Sequence, residues 1–266
     1  MNKRKLLWAG AVLLVIGLIG SIATYKQSAE KFDLNERKTI ESNNFEHVEV
    51  SGDNATIEIH PTKDSSPYVQ LTGTKRGNRE LDYSAEVDGN KLKVVLKEKG
   101  HQLIPMSLFG DSELSLDLYL PDKQYASMTA DIDNGRIKMS ELSSEEVELH
   151  TANGRLDLAN ITADTVKADS SNGRIQLDNV SGKITGKTIN GRIELNASTI
   201  DQDIQLETSN GEISVTAEKE PENTSIFAET DNGNIEIFNN SRSNVVFGNG
   251  EYKISLKTNN GDIEVN

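Results

Sequence analysis

Four arginines occupy the same position in a repeated sequence motif. Their type and spacing could support anion binding. Each of them directly follows an Asn-Gly pair. If the repeats stack as β-strands about 4.8 Å apart, the guanidinium groups form a ladder that could hold an anionic wall polymer or a lipid headgroup. The members of this candidate anion-binding ladder are Arg136, Arg155, Arg174 and Arg192.

The same arginines have a second interpretation, which is pairing with neighbouring acids. Asp157 and Glu194 each lie two residues after an arginine and therefore on the same face of a strand. Unit charges about 4.8 Å apart repel by roughly 3.5 kcal/mol at an effective dielectric constant of about 20. Because an unpaired ladder would carry this repulsion at every step, we expect the arginines to recruit acidic partners.

Other patterns of catalytic or metal-binding residues are weak. The four histidines, His47, His60, His101 and His150, are far apart and lack the spacing of metal ligands. The chain has no cysteine, which excludes disulfides, thiol catalysis and thiolate metal sites. A polysaccharide-cleaving enzyme would need a non-repeating cluster of acids beside aromatic platforms, and the one tryptophan, Trp8, lies in an apolar N-terminal segment. We therefore predict no enzymatic activity, no cofactor and no metal site.

The formal net charge of −14 bears on the choice of partners. Binding to nucleic acid depends on clustered cations that neutralise phosphates, and this chain carries a large excess of acids. The same charge opposes a broad attraction to anionic lipids or anionic wall polymers. We therefore expect no nucleic-acid partner.

Seven Asn-Gly pairs belong to a repeat with a period near 20 residues, which is typical of repeat architectures. The steps between successive pairs are 19, 19, 18, 20, 22 and 28 residues. Apolar residues recur three and five residues after each asparagine and six residues before it, so each unit reads as two short alternating strands around a turn. The asparagines of these pairs are Asn134, Asn153, Asn172, Asn190, Asn210, Asn232 and Asn260.

This pattern fits two all-β folds. In a single-stranded β-solenoid each unit is one coil of about 19 residues, and equivalent side chains stack on successive coils. In an antiparallel β-meander each Asn-Gly pair is a hairpin turn. A wide meander would leave one apolar face uncovered, and the sequence offers no helices to cover it, so we favour the solenoid.

The solenoid leads to specific expectations about single residues. Asn and Gly should bend the chain at each corner because they tolerate positive φ. Ile175 should face inward between Leu156 and Ile193 of the adjacent coils, and Arg174 should face outward. The last Asn-Gly unit should form the end of the stack.

The first residues predict a membrane anchor. Residues 1–5 are basic, and residues 6–24 form an uncharged apolar stretch that would span roughly 28 Å as a helix, close to the hydrocarbon thickness of a bilayer. The basic stub should stay in the cytoplasm, which sends the remaining chain outside. The alternative is a cleaved signal peptide, for which residues 21–23 offer a cleavage site with small residues. Residues 25–45 are polar with weak periodicity and are predicted to be a juxtamembrane spacer.

Residues 46–266 are predicted to form an extracytoplasmic β-repeat domain. Residues 46–128 alternate less regularly and are interpreted as early, wider coils that continue into the regular repeats of residues 129–266; a separate domain that ends near residue 125 is the alternative. The stretch "GHQLIPMSLFGD" does not alternate and is either a lid over the open end of the core or a docking loop for a partner. The apolar members of this candidate partner-binding loop are Leu103, Ile104, Met106, Leu108 and Phe109.

Several stretches together resemble a known bacterial family. They are "VEVSGDNATIEIHP", "LSLDLYLPDK" and the serial units of the form T-x-N-G-x-I-x-L. Over roughly residues 45–266 the chain resembles the β-strand-repeat family called "putative adhesin", whose molecular function is unknown. With its single-pass N-terminus it is most similar to the LiaG-like members, which are encoded beside envelope-stress regulators. The resemblance implies an extracytoplasmic β-solenoid tethered to the membrane, without catalytic residues.

Residues and resemblance together predict a single-pass protein of the bacterial cell membrane with its β domain outside. Its expected function is the non-catalytic binding or scaffolding of other envelope proteins or wall polymers, with a link to envelope stress. A purely structural spacer is the first alternative, and a polysaccharide-active β-helix enzyme is the second. A binding protein should carry a patch that interrupts the repeat, whereas a spacer should not.

Overall fold

The computed structural model describes residues 8, 10, 12–18, 31–76, 80–99 and 113–266. Residues 8, 10 and 12–18 are helical, and the described residues contain no helix long and apolar enough to cross a bilayer. From residue 31 onward the described chain is all-β, and its 17 strands hydrogen-bond into one continuous sheet.

The strands have very unequal lengths, because several of them run through a corner without a break. In chain order they are β1 (Lys31–Thr39), β2 (His47–Thr62), β3 (Tyr68–Arg76), β4 (Glu80–Asp88), β5 (Lys91–Lys99), β6 (Glu113–Pro121), β7 (Gln124–Ser140), β8 (Ser143–Asn172), β9 (Ile175–Asn190), β10 (Ile193–Ala197), β11 (Ile204–Asn210), β12 (Ile213–Ala217), β13 (Thr224–Asn232), β14 (Ile235–Ile237), β15 (Asn244–Val246), β16 (Tyr252–Asn260) and β17 (Ile263–Val265).

Successive units of the chain stack as parallel strands in register. β7 pairs with β8 and places Asn134 opposite Asn153. β8 pairs with β9 in the same way and places Leu156 opposite Ile175. Each unit is thus one coil, which we define as two strand segments on either side of an asparagine corner. The parallel stacking confirms the all-β, solenoid-like fold and contradicts the antiparallel meander.

The core is a thin aliphatic column between the two strand rows of the coils. Ile175 is fully buried and lies in register between Leu156 and Ile193, as predicted. Buried and exposed positions alternate along β9 because successive side chains of a strand point to opposite faces. Arg174 leaves 43% of its side chain exposed. The inward and outward assignment of these two neighbours is therefore confirmed.

The last unit of the chain does not end the stack. β16 pairs in parallel with β11 on one edge and with β13 on the other. β17 pairs in the same manner with β12 and β14. The C-terminal coil therefore lies between two coils that precede it in the sequence, and β13 and β14 form the terminal coil. The prediction that the final Asn-Gly unit closes the stack is wrong.

The long last step of the repeat explains this coil order. After β14 the chain passes along the outer edge of the terminal coil, where β15 pairs antiparallel with β13. Gly248 and Gly250 both adopt positive φ, of 56° and 66°, in the turn that sends the chain back. β16 then enters on the inner edge of β13. The extra residues of the 28-residue step supply this return path.

Asp201 connects the turn after β10 to the start of the terminal coil. Its carboxylate accepts hydrogen bonds of 2.8–3.1 Å from the backbone N–H groups of Glu222 and Asn223 and from the hydroxyl of Thr224. Burial opposes the ionisation of this carboxylate, but the hydrogen bonds outweigh it and lower the pKa of Asp201. The ionised side chain therefore contributes to holding the terminal coil in place.

The chain order is also rearranged at the other end of the stack. β2 pairs in parallel with β7 on one edge and, on the other edge, with β5 and β6, which follow it in the sequence. β6 pairs antiparallel with β3, and β4 lies antiparallel to β5. β2 forms a coil in register with the regular repeats, because Asn54 lies opposite Asn134.

β1 lies within residues 25–45, the stretch predicted to be a spacer. It pairs antiparallel with β3 along its whole length, and Ile40, the next residue, is buried in the core. From Lys31 onward this stretch is part of the folded domain. Apolar and polar residues alternate only weakly in this stretch because β1 is an edge strand with mostly exposed side chains. Without a buried face, there is no requirement for an apolar residue at every second position.

Candidate functional site

An asparagine ladder runs along one corner of the stack. Apart from Asn54, which only accepts, each corner asparagine donates a hydrogen bond of 2.7–3.0 Å from its Nδ2 to Oδ1 of the asparagine in the adjacent coil. An asparagine inside the ladder therefore both donates and accepts, which fixes its amide. In spatial order the members are Asn54, Asn134, Asn153, Asn172, Asn190, Asn210, Asn260 and Asn232.

Asn54 was missed by the sequence pattern because Ala55, and not glycine, follows it. The signal that could have found it is the alternating stretch "NATIEI", which matches the later units after their asparagine. The ladder thus extends one coil further toward the N-terminal end than the Asn-Gly pairs indicate.

The glycine after each corner asparagine is required by the close approach of neighbouring coils. A Cβ atom on Gly191 would lie 2.6 Å from the carbonyl carbon of Gly173 and closer still to its oxygen. The φ angle of Gly191 lies outside the left-handed region. Our explanation from positive φ is therefore wrong at this position. Glycine is needed because the backbone of the next coil occupies the space of a side chain.

Threonines two positions before the asparagine complete the corner. Thr188, Thr208 and Thr258 are buried, and each hydroxyl donates a hydrogen bond of 3.0–3.2 Å to a corner glycine carbonyl of the adjacent coil. At Thr151 and Ser170 the buried hydroxyl has no partner among the described residues. Most of these hydroxyls thus help to tie one coil to the next.

The first two arginines of the candidate anion-binding ladder share one acid. The guanidinium groups of Arg136 and Arg155 both bind the carboxylate of Asp157, and Arg155 also binds the side-chain oxygen of Gln176. The Asp157 side chain is only 11% exposed. Partial burial strengthens these contacts, because fewer water molecules screen the charges.

The other two arginines pair with glutamates of their own coil or of the adjacent coil. Arg174 lies 4.0 Å from the carboxylate of Glu194. Arg192 contacts Glu194 at 3.2 Å and Glu212 at 2.8 Å. The geometry therefore favours the paired interpretation for all four arginines. Binding of an external anion stays a prediction, and such an anion would have to compete with these carboxylates.

A second polar cluster lies near the N-terminal end of the stack, and the sequence did not reveal it. We call it the end-face cluster; it consists of Glu58, His60, Asp117 and Lys138. The parallel pairing of β2 with β6 places Glu58 opposite Asp117. Burial, followed by the negative charge of Glu58, raises the pKa of Asp117. Residues so distant in the chain meet only through this pairing, so no local motif could have predicted the cluster.

The end-face cluster has part of the ligand set of a metal site. Ligand atoms of Glu58, His60 and Asp117 lie within 4.8 Å of one another, and these are the side chains that could hold a divalent cation. His60 Nδ1 lies 3.2 Å from the hydroxyl of Ser140, and the ammonium of Lys138 lies 3.3 Å from Glu58. Lys138 therefore already supplies a positive charge to this carboxylate.

A stack of flat side chains crosses the strands beside the end-face cluster. Arg37 lies over the ring of Tyr68 at 3.7 Å, and Tyr68 stacks on Tyr119 with ring centroids 4.4 Å apart. Tyr119 in turn faces His60 at 5.5 Å. Each tyrosine face is therefore covered by a neighbour, whereas a sugar-binding platform needs an exposed face. The stack holds the strands of this end together.

The candidate partner-binding loop, from Leu103 to Phe109, lies outside the described residues, as does His101. Its role as a lid or as a docking loop stays a prediction. Among the other histidines, His47 Nδ1 lies 2.8 Å from the hydroxyl of Ser127 in the adjacent coil. His47 therefore contributes to the contact between coils.

Comparison with solved structures finds similar chains of low sequence identity, three of which follow. A "putative cell adhesion protein" from Clostridium sporogenes ATCC 15579 is 13% identical, with 88% of this chain and 99% of that chain covered and a TM-score of 0.42. A "putative adhesin" from Bacteroides fragilis NCTC 9343 is 14% identical, with 90% and 99% covered and a TM-score of 0.47. A "putative lipid binding protein" from Parabacteroides distasonis ATCC 8503 is 16% identical, with 87% and 97% covered and a TM-score of 0.36. No curated protein matches the chain.

The comparison with family models matches nearly the whole β domain. The Toastrack DUF4097 model matches residues 45–183 and residues 141–266. The two ranges together cover the stretch on which the resemblance to the β-strand-repeat family rested, and they confirm that resemblance. The chain belongs to the Toastrack DUF4097 family.

Proposed function

We propose that the protein is a non-catalytic binding or scaffold protein of the bacterial cell envelope. The observation that carries this proposal is that the polar side chains of the ladders bind one another: corner amides bind the equivalent amides of adjacent coils, and arginines bind carboxylates of adjacent coils. Acid–base catalysis needs a group that is free to exchange a proton with a substrate. A stiff surface with a regular spacing suits a body on which other molecules assemble.

In this role the β domain lies outside the cell and is tethered to the membrane by residues 6–24. Support comes from the apolar side chains of residues 12–18, which the fold leaves uncovered; Leu13 is 70% exposed and Ile16 is 60% exposed. Apolar side chains of this kind are stabilised when a hydrocarbon phase covers them. The basic residues 1–5 support a cytoplasmic N-terminus.

The proposed partners are other envelope proteins or wall polymers. The strong negative charge favours partners that are neutral or cationic. The similarity to LiaG-like members extends the proposal to a role in envelope stress. Deleting the gene should then change survival under wall-active antibiotics, and unchanged survival would remove this part of the proposal.

Photo-crosslinking in intact cells tests the binding function. A photoreactive amino acid replaces Phe109 in the candidate partner-binding loop, Arg174 on the arginine ladder, or Lys257 on the other strand row as the matched control. A binding protein should give a discrete adduct at Phe109 or Arg174 and none at Lys257. Equal adducts at all three positions, or none at any, would refute binding and leave a structural spacer.

The topology has a separate test. Protease added to intact cells that lack a thick wall should digest the β domain and leave a short membrane-embedded stub. A protected β domain would contradict export. A soluble species that begins near Thr24 would show that the N-terminal segment is a cleaved signal peptide.

A further inference from the structure

The Asn-Gly pairs of the ladder are chemically fragile as well as structural. Deamidation begins when the backbone nitrogen of the following residue loses its proton and attacks Cγ of the asparagine. A C–N bond forms, the Cγ–Nδ2 bond breaks, and ammonia leaves a cyclic imide. Water then opens the imide at either carbonyl to give aspartate or isoaspartate. Glycine as the following residue permits this attack because it has no side chain to hinder it.

Stacking protects the asparagines inside the ladder from this reaction. The attacking nitrogen is held in a hydrogen bond of 2.9–3.0 Å to an asparagine carbonyl of the adjacent coil, as observed for Gly173, Gly191, Gly211 and Gly261. This bond retains the proton on the nitrogen and keeps the backbone extended. The side chain is also fixed, because each interior amide donates to one neighbour and accepts from the other.

Asn232 differs from the other ladder asparagines that precede glycine. It lies in the terminal coil, and no further coil of the described residues stacks beyond it. Its Nδ2 donates to Asn260 at 3.0 Å, but its Oδ1 accepts no hydrogen bond from the described residues. The N–H of Gly233 likewise has no acceptor among the described residues. Both the electrophile and the nucleophile are thus less restrained here than inside the ladder.

From this contrast we propose that Asn232 is a site of spontaneous deamidation in the folded protein, while the interior Asn-Gly pairs of the ladder are protected. The pair Asn249–Gly250 lies in a turn outside the ladder and is not part of the comparison. The reaction places a new carboxylate beside Asp231 and near the C-terminal coil. In the isoaspartate product the main chain gains one methylene group, which shifts β14 out of register with β17. The damage therefore falls on the terminal coil and on its pairing with the C-terminal coil.

Peptide mapping by mass spectrometry tests the proposal on the full-length protein in detergent at mildly alkaline pH. The acid form at Asn232 should accumulate about tenfold faster than at each interior ladder site, which corresponds to a difference of about 1.4 kcal/mol in the free energy of local opening. In the chain unfolded by denaturant, this tenfold difference should disappear. Equal rates at Asn232 and Asn210 in the folded protein, or the same difference in the unfolded chain, would overturn the proposal.

A variant assigns the signal to one side chain, since Asn234, Asn239 and Asn240 lie close to the same position in the sequence. Asn232→Gln removes the reactive side chain, and glutamine closes a larger ring much more slowly. The conversion in this part of the chain should then be lost, with the interior sites unchanged. Conversion that persists in the variant would show that another asparagine reacts and would overturn the assignment.

Discussion

Replacing Gly191 with alanine should destabilise the solenoid strongly. The added Cβ would lie 2.6 Å from the carbonyl carbon of Gly173, whereas real Cβ contacts stay beyond 3.0 Å. The two coils would have to separate, which would break the hydrogen bond from Gly173 N to Asn190 O and the side-chain bond from Asn190 to Asn172. At about 1 kcal/mol for each hydrogen bond and about 1–3 kcal/mol for overpacking, the expected cost is about 3–5 kcal/mol.

Chemical unfolding of the full-length protein in detergent, followed by circular dichroism, measures this cost. The matched control is Gly89→Ala. Gly89 has a φ of +58° but no atom within 4 Å of an added Cβ, so its replacement adds only the strain of a left-handed backbone, about 1–2 kcal/mol. If Gly191→Ala costs no more than Gly89→Ala, close approach of the coils is not the reason for the glycine, and the ladder geometry is wrong.

Three other perturbations probe the core register, the coil order and one ionised side chain. Ile175→Asp should unfold the domain, because an unpaired carboxylate in an apolar core costs several kcal/mol. Arg174→Ala should cost under about 1 kcal/mol, because the ion pair is partly exposed. Thermal melts that give the reverse order of stability would show that the strand register is off by one residue. Deletion of residues 252–266 should abolish hydrogen-exchange protection in β13, although β13 remains in the chain, and retained protection would contradict the inserted order. Asp201→Asn should destabilise the protein most at neutral pH. Because the pKa of Asp201 is lowered in the folded protein, the ionised carboxylate stabilises the fold above the pKa of the unfolded chain, and this stabilisation is lost as the pH falls through the folded-state pKa. The difference in free energy of unfolding between variant and wild type should therefore shrink in acid. A difference that is constant with pH would contradict the lowered pKa.

The regular part of the fold could be predicted because stacking repeats a local pattern. Ile175 is flanked in sequence by outward residues and in space by Leu156 and Ile193, and both relations follow from a period of two within a strand and a period near 20 between coils. The pairing of the arginines was also accessible, since Asp157 and Glu194 share their face. Sequence periodicity therefore predicts the side-chain contacts wherever each residue packs against the equivalent residues of the adjacent coils.

The end-face cluster and the role of the glycines could not be predicted in the same way. Glu58 and Asp117 are brought together because β2 pairs with β6, which is not its neighbour in the chain. No spacing along the sequence therefore predicts their contact. The sequence predicted a positive φ for Gly191 because an Asn-Gly pair is typical of turns. The distance between adjacent coils, which is the actual reason for the glycine, leaves no separate signal in the sequence. Ala55 shows the same limit: its coil belongs to the ladder although the glycine is missing.

The insertion of the C-terminal coil makes lysine and glutamate alternate along one row of the stack. This alternation does not appear when the coils are taken in chain order. Three positions before the corner asparagine, the chain order would place Glu207 next to Glu229. In the structure Lys257 lies between them, in register with both, and ion pairs join Lys187 to Glu207 at 3.5 Å and Lys257 to Glu229 at 3.4 Å. These side chains are about half exposed, so each pair contributes less than about 1 kcal/mol.

Backbone pairing also bears on this order. In the inserted position β16 and β17 have partners along both edges, whereas at the end of the stack one edge of each would remain open to another chain. The open edge is transferred to β13, and β15 covers part of it by antiparallel pairing at residues 225–227. The same return path that allows the insertion therefore also shields the end of the stack. The alternation of lysine and glutamate therefore favours the inserted order, which the long return path makes possible. The pairing of β15 with the edge of β13 stabilises it further.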